Sequence, residues 1–141
     1  MTAEPYGAAP RPAPETRSPR ALWSAIALAL MAAMFLEAVL AGAMLSGQAW
    51  ALGAHRMAAG LVIAAALGAG AASLVVLRRI PGGRTFAPTL LGLGAAAFSQ
   101  AVLGVLTAKG QNLLWLHVPL GVALVGLAGQ AVASARRLGG V

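Results

Sequence analysis

Few residues in this chain can do chemistry, so their spacing is informative. It has two histidines, His55 and His117, and one acidic residue beyond position 15, Glu37. Imidazole suits metal ligation and proton transfer near neutral pH. A carboxyl group within an apolar run is costly and marks a functional candidate. Each histidine closes a similar stretch: "FLEAVLAGAMLSGQAWALGAHR" from Phe35 to Arg56, and "FSQAVLGVLTAKGQNLLWLH" from Phe98 to His117. A shift of 63 matches Phe35 with Phe98, Glu37 with Gln100, Ala38–Val39–Leu40 with Ala101–Val102–Leu103, and Gly47–Gln48 with Gly110–Gln111. His55 then matches His117 at a shift of 62. Matches of Ala, Val and Leu are cheap in this composition, whereas the Phe, the Gly-Gln and the His are not. The pattern reads as a duplicated two-helix hairpin. Its bland counterpart is chance similarity between two Ala/Leu/Gly-rich segments.

The elements that carry these residues follow from composition. The chain is 60% hydrophobic and only 9% charged, against roughly 25% charged in soluble domains. Most of its surface must face an apolar medium, and the lipid bilayer is the expected partner. The net charge of +7 does not imply nucleic acid, because no basic patch carries interleaved aromatics. Absence of cysteine excludes disulfides, cysteine-ligated zinc, iron–sulfur clusters and thiol catalysis.

Residues 1–19 hold five of the eight prolines and read as a disordered tail. The apolar run after Arg20 exceeds the 7–15 residues of a signal h-region, which favours a spanning helix over a cleaved signal. Residues 20–138 read as a domain of four spans, at about 21–45, 50–77, 86–108 and 113–135, with a short tail at 139–141. Each span reaches the ~20 residues that cross a bilayer. Pairs of small residues four apart, Ala38 with Gly42 and Gly60 with Ala64, are candidates for close helix approach. The expected fold is therefore all-α: an integral membrane up-down four-helix bundle built from two duplicated hairpins.

Eight of the ten basic residues fall on one side of these spans, with only Arg56 and Lys109 on the other. The positive-inside rule then places both termini in the cytoplasm, in a cell (inner or plasma) membrane. Trp50 and Trp115 are expected near the outer interface, and Trp23 near the inner one.

Two hairpins in tandem have the same orientation, so helices 2 and 4 run parallel and set His55 and His117 at similar depth. Neighbouring helices pack ~8–10 Å apart, which makes the diagonal of a square ring about 11–14 Å. Two imidazoles facing each other across that gap suit bis-histidine ligation of one haem. Ala59 and Gly121, each one turn on from a histidine, leave room for a ring. Arg56 and Lys109 are candidate partners for haem propionates.

Simpler readings stand beside these. A histidine near a helix end can be merely solvated, and Arg56 and Lys109 can snorkel to headgroups. Pro119 either kinks helix 4 or marks its first turn. Glu37 is a candidate proton relay, cofactor contact or catalytic group. Alternatively it is a protonated side chain bonded to Gln100 or Ser99 as interhelical glue.

A four-helix unit with histidines on helices 2 and 4 and an acid on helix 1 resembles one half of a haem A synthase. "HRMAAG" is similar to that family's second-helix histidine motif, and "EAVLAGAMLSG" is a weaker echo of its helix-1 motif, lacking the Arg and Thr. The plan, over residues 22–137, also resembles an uncharacterised family of small four-helix bacterial membrane proteins with "AG" late in helix 1, "H…G" on helix 2 and "LH…G" on helix 4. The departures are one unit where haem A synthases have two, no loop cysteines, and a loop of only a few residues around Gly47. The resemblance implies haem binding at His55 and His117 more than oxidation of a haem methyl group.

The sequence thus supports a haem b protein for electron transfer or a haem-linked redox step, with a membrane redox partner or quinone. The rival is a cofactor-free accessory or assembly protein. A transporter or channel is a weaker third, because one acid and a few Gln and Ser do not line a pore. Homo-oligomerisation is left open.

Overall fold

The structure, a computed structural model, describes residues 19–139. The expected disordered tail therefore lies outside the described residues except for Pro19, which opens the first helix. Four helices make up the fold: α1 (Pro19–Leu45), α2 (Ala51–Val76), α3 (Gly83–Ala108) and α4 (Leu114–Arg136). All four are long and apolar enough to cross a membrane, with mean hydropathies of 2.2, 2.2, 1.7 and 1.7. Even α4, at 23 residues, measures about 35 Å by helical rise, against a hydrocarbon core of ~30 Å. The expected all-α four-helix architecture is what the structure shows, and it describes a small multi-pass membrane protein.

Helix α1 runs alongside α2 and α4, and α3 alongside the same two, while the backbones of α1 and α3, and of α2 and α4, stay apart across the bundle. The bundle is therefore a closed ring in which α2 and α4 are diagonal. One end carries the α1–α2 and α3–α4 turns (the turn end), and the other carries the termini and the α2–α3 turn (the termini end).

The matched Gly–Gln pairs explain how α1 and α3 stop. Gly47 and Gly110 have φ of 85° and 91°, a left-handed conformation that glycine adopts without a Cβ penalty. The Gly47 N–H donates to Met44 O and Gln48 N–H to Ala43 O, while Gly110 N–H donates to Thr107 O and Gln111 N–H to Leu106 O. Both are Schellman turns, which satisfy carbonyls left over at a helix C-terminus. At the termini end, Gly82 is left-handed (φ 79°), and a Cβ at Gly83 would sit 2.1 Å from Leu77 O. The Gly139 N–H closes this end by donating to Pro81 O at 3.1 Å.

Packing is uneven along the bundle. The termini end holds a core of Trp23, Ala27, Leu30, Phe86, Leu90, Leu93, Ala128, Val132 and Ala135. On α3 no residue beyond Ala97 is buried, and on α4 none before Leu124. The bundle is thus tight at the termini end and loose at the turn end. Trp23 was expected in an interfacial belt. It is the fifth residue of α1, at the termini end, and its ring turns inward against Phe86, edge to face with centroids 5.6 Å apart. Trp50 and Trp115 are 62% and 70% exposed, and Phe35 and Phe98, the matched phenylalanines, also face outward.

Close helix approach occurs, but elsewhere than the small-residue spacing suggested. A Cβ at Gly42 or Gly60 would meet nothing within 4 Å. At Gly70 it would fall 2.8 Å from the Leu91 side chain and 3.0 Å from its backbone N. At Gly94 it would fall 2.6 Å from the Leu67 side chain and 3.1 Å from its backbone N. The glycines that matter are those facing α2–α3, and spacing alone does not say which face a glycine presents.

Candidate functional site

Where the core thins, a cavity of about 300 Å³ opens among all four helices. That volume is at the lower end of ligand sites. Glu37 of α1, His55 of α2, Gln100 of α3 and His117 of α4 all line it, with Ala59 and Gly121. The apolar remainder of the wall includes Met34, Val62, Ile63, Ala97 and Leu124. Four of the chain's scarce polar side chains thus meet in one place, one from each helix. Arg56 and Lys109 are exposed and do not line the cavity.

His55 is the fifth residue of α2 and His117 the fourth of α4. At 1.5 Å per residue this puts both within about 6 Å of the turn end. They reach the cavity from diagonal helices. Pro119 is the sixth residue of α4, inside the helix and not in its first turn. It cannot donate to the Trp115 carbonyl.

Each histidine is tied to the preceding helix. His55 Nδ1 lies 2.6 Å from Glu37 Oε2, with the side chains 19% and 13% exposed. This is an ion-pair distance without the alignment of a full hydrogen bond. Glu37 was weighed as glue to Gln100 or Ser99, but its close partner is His55, while Ser99 Oγ donates to Ala95 O at 3.1 Å within its own helix. The tie to His117 is different in kind: Gln100 Nε2 donates to the His117 backbone carbonyl, leaving the imidazole free of it.

Two glycines make this second tie possible. A Cβ at Gly121 would sit 3.1 Å from Gln100 Nε2, and one at Gly104 would sit 3.0 Å from His117 Cε1. Gly121 was expected to clear space for a bound ring; part of that space is used by the Gln100 amide. Gly104 was missed. Its position one turn beyond Gln100 on α3 was the available signal, since residues four apart share a helix face.

Among the described residues, four buried polar atoms make no hydrogen bond: Glu37 Oε1, Gln100 Oε1, His117 Nδ1 and His55 Nδ1, of which the last has Glu37 Oε2 at ion-pair distance. Buried polar groups are nearly always satisfied, so unpaired ones call for an explanation. Among the described residues, no group of three or more His, Cys, Asp or Glu side chains could hold a metal ion. Comparison with family models, with curated proteins and with solved structures finds no match to this chain.

Proposed function

We propose that this membrane protein binds one b-type haem between His55 and His117 at the turn end of the bundle, and uses it for electron transfer or a haem-linked redox step. The observation that carries the reading is that the chain's only two imidazoles reach one cavity from diagonal helices. Two ligands suffice for this group, because the macrocycle supplies the other four.

The surroundings of His55 fit such a ligand. Metal-binding imidazoles commonly present the second ring nitrogen to a carboxylate, which fixes tautomer and orientation. Glu37 at Nδ1 does this for His55 and leaves Nε2 for iron. His117 is oriented through its backbone by Gln100 and through its ring by contact with Gly104. The apolar wall excludes water, and on a bound haem that sets both potential and access. When bound, the group supplies reversible one-electron iron chemistry.

In each hairpin the matched position of the first helix reaches the histidine of the second, Glu37 to the His55 ring and Gln100 to the His117 backbone; the duplication reading rests on that shared register, and the resemblance to one haem A synthase half on sequence. In that reading the turn end is the outer face, with both termini cytoplasmic. The cofactor-free alternative draws support from the Glu37–His55 and Gln100–His117 ties, which would lock a bundle unaided. It gives no role to the cavity or to the unpaired His117 Nδ1.

The test is a visible spectrum of the detergent-purified protein, with and without dithionite. A Soret band with reducible α and β bands, lost in His55→Ala and His117→Ala, is the expected result. A colourless protein from haem-replete cells would sink the proposal.

A further inference from the structure

The cavity wall is not equally closed on all sides. Its lining residues on α2 and α3, including Ala59, Val62, Ala97 and Ala101, are buried or half-buried. On α1 and α4 the lining includes residues that are also exposed: Ala38, Gly42 and Leu45 on α1, Val118 and Val122 on α4. A residue that both lines a cavity and faces outward marks its mouth. The mouth therefore lies between the turn-end halves of α1 and α4.

Three observations make this a slot and not a packing defect. Below Leu45, the residues on its α1 side, Ala38 and Gly42, are small, and a Cβ at Gly42 would meet nothing within 4 Å. No residue of α4 before Leu124 is buried, so α4 does not close against α1 there. Ala38 lies seven residues from the end of α1, and Val122 eight from the start of α4. Both are about 11–12 Å below the turn end by helical rise. In a bilayer with ~30 Å of hydrocarbon, that depth faces acyl chains.

We infer that the cavity is loaded sideways from the lipid, through a slot between α1 and α4 framed by Ala38, Gly42, Val118 and Val122. Its ligand is then a flat, largely apolar molecule that partitions into the bilayer and enters edge first, polar contacts last. Taken as haem, this rests on the reading above. The route itself rests on the geometry of the wall.

The experiment uses haem-free protein in nanodiscs, with haemin added in lipid vesicles and Soret appearance followed in time. Val122→Trp and Gly42→Phe place an aromatic ring in the slot without touching either histidine. Loading half-times are expected to lengthen about tenfold or more, with unchanged final amplitude. Unchanged half-times in both variants would overturn the slot. If the wild type gives no Soret band, the haem reading fails, and the slot is then decided by thiol labelling. The chain has no cysteine, so Ala59→Cys on the far wall is a unique target. A lipid-soluble maleimide is expected to reach it, about tenfold slower or worse when combined with Val122→Trp. Equal labelling with and without the tryptophan, or equal labelling by a membrane-impermeant maleimide, would overturn the lateral route.

Discussion

Glu37 Oε2 on α1 and His55 Nδ1 on α2 lie 2.6 Å apart, so the chain's only acid beyond position 15 is committed to one of its two imidazoles. The other imidazole has no such carboxylate. If a metal sits between them, the two ligands are electronically unequal. Removing the carboxylate should therefore weaken binding without abolishing it. Glu37→Gln is expected to lower haem affinity about 10–100-fold, the usual cost of losing an outer-shell partner. His55→Ala should remove the Soret band. Haem titration of both variants checks the order.

Gly104 and Gly121 should resist enlargement for a local reason. Gly104→Val pushes into the His117 ring, and Gly121→Val displaces the Gln100 amide. Both positions lie where the helices are loosely packed, so the fold should survive. The expected outcome is normal helix content by circular dichroism, with haem binding lost or its spectrum altered. Normal binding in both would show that neither contact orients His117.

Glycines at the termini end should behave in the opposite way. Gly83→Ala puts a methyl group into the Leu77 carbonyl, and Gly94→Val forces α2 from α3. Overpacking typically costs about 1–3 kcal/mol. For Gly83 the obstruction is backbone, so the upper part of that range or beyond is expected. Thermal unfolding in detergent, with Gly42→Ala as the neutral control, measures the difference.

Topology has its own test. With both termini cytoplasmic, a C-terminal green fluorescent protein fusion should fluoresce and a C-terminal alkaline phosphatase fusion should be inactive. The reverse pattern would place the cavity at the cytoplasmic face and overturn the assigned orientation.

Much of the fold was readable because twenty apolar residues have few alternatives in lipid. Which residues meet inside the bundle was less readable. Glu37 and Gln100 occupy matched positions, which suggested that they might bond to each other. They sit on diagonal helices α1 and α3, so each turns to the histidine-bearing helix beside it. Helix rotation decided this, and short polar side chains in an apolar sequence give little rotational signal. The same lack of signal left the direction of the Trp23 ring unread, though its depth was legible, and overlooked Gly104. By contrast, the similar depth expected of His55 and His117 needed no rotational signal, since alternate helices of an up-down bundle run parallel, and both residues line the one cavity.

The dense packing from Trp23 to Met34 and from Leu124 to Ala135 has an electrical consequence. Among the described residues, the only buried polar side chains there are Ser73 and Ser134. Ser73 donates to Gly70 O at 2.7 Å, and Ser134 Oγ accepts from Arg137 at 3.4 Å. Neither begins a chain of proton carriers, and moving an ion through this region costs several kcal/mol in lost hydration. The termini-end half thus insulates against ions: its side chains offer a proton no route between the cavity and the termini, and the membrane voltage, about 2.3 kcal/mol per charge per 100 mV, adds to or subtracts from that barrier according to the direction of crossing.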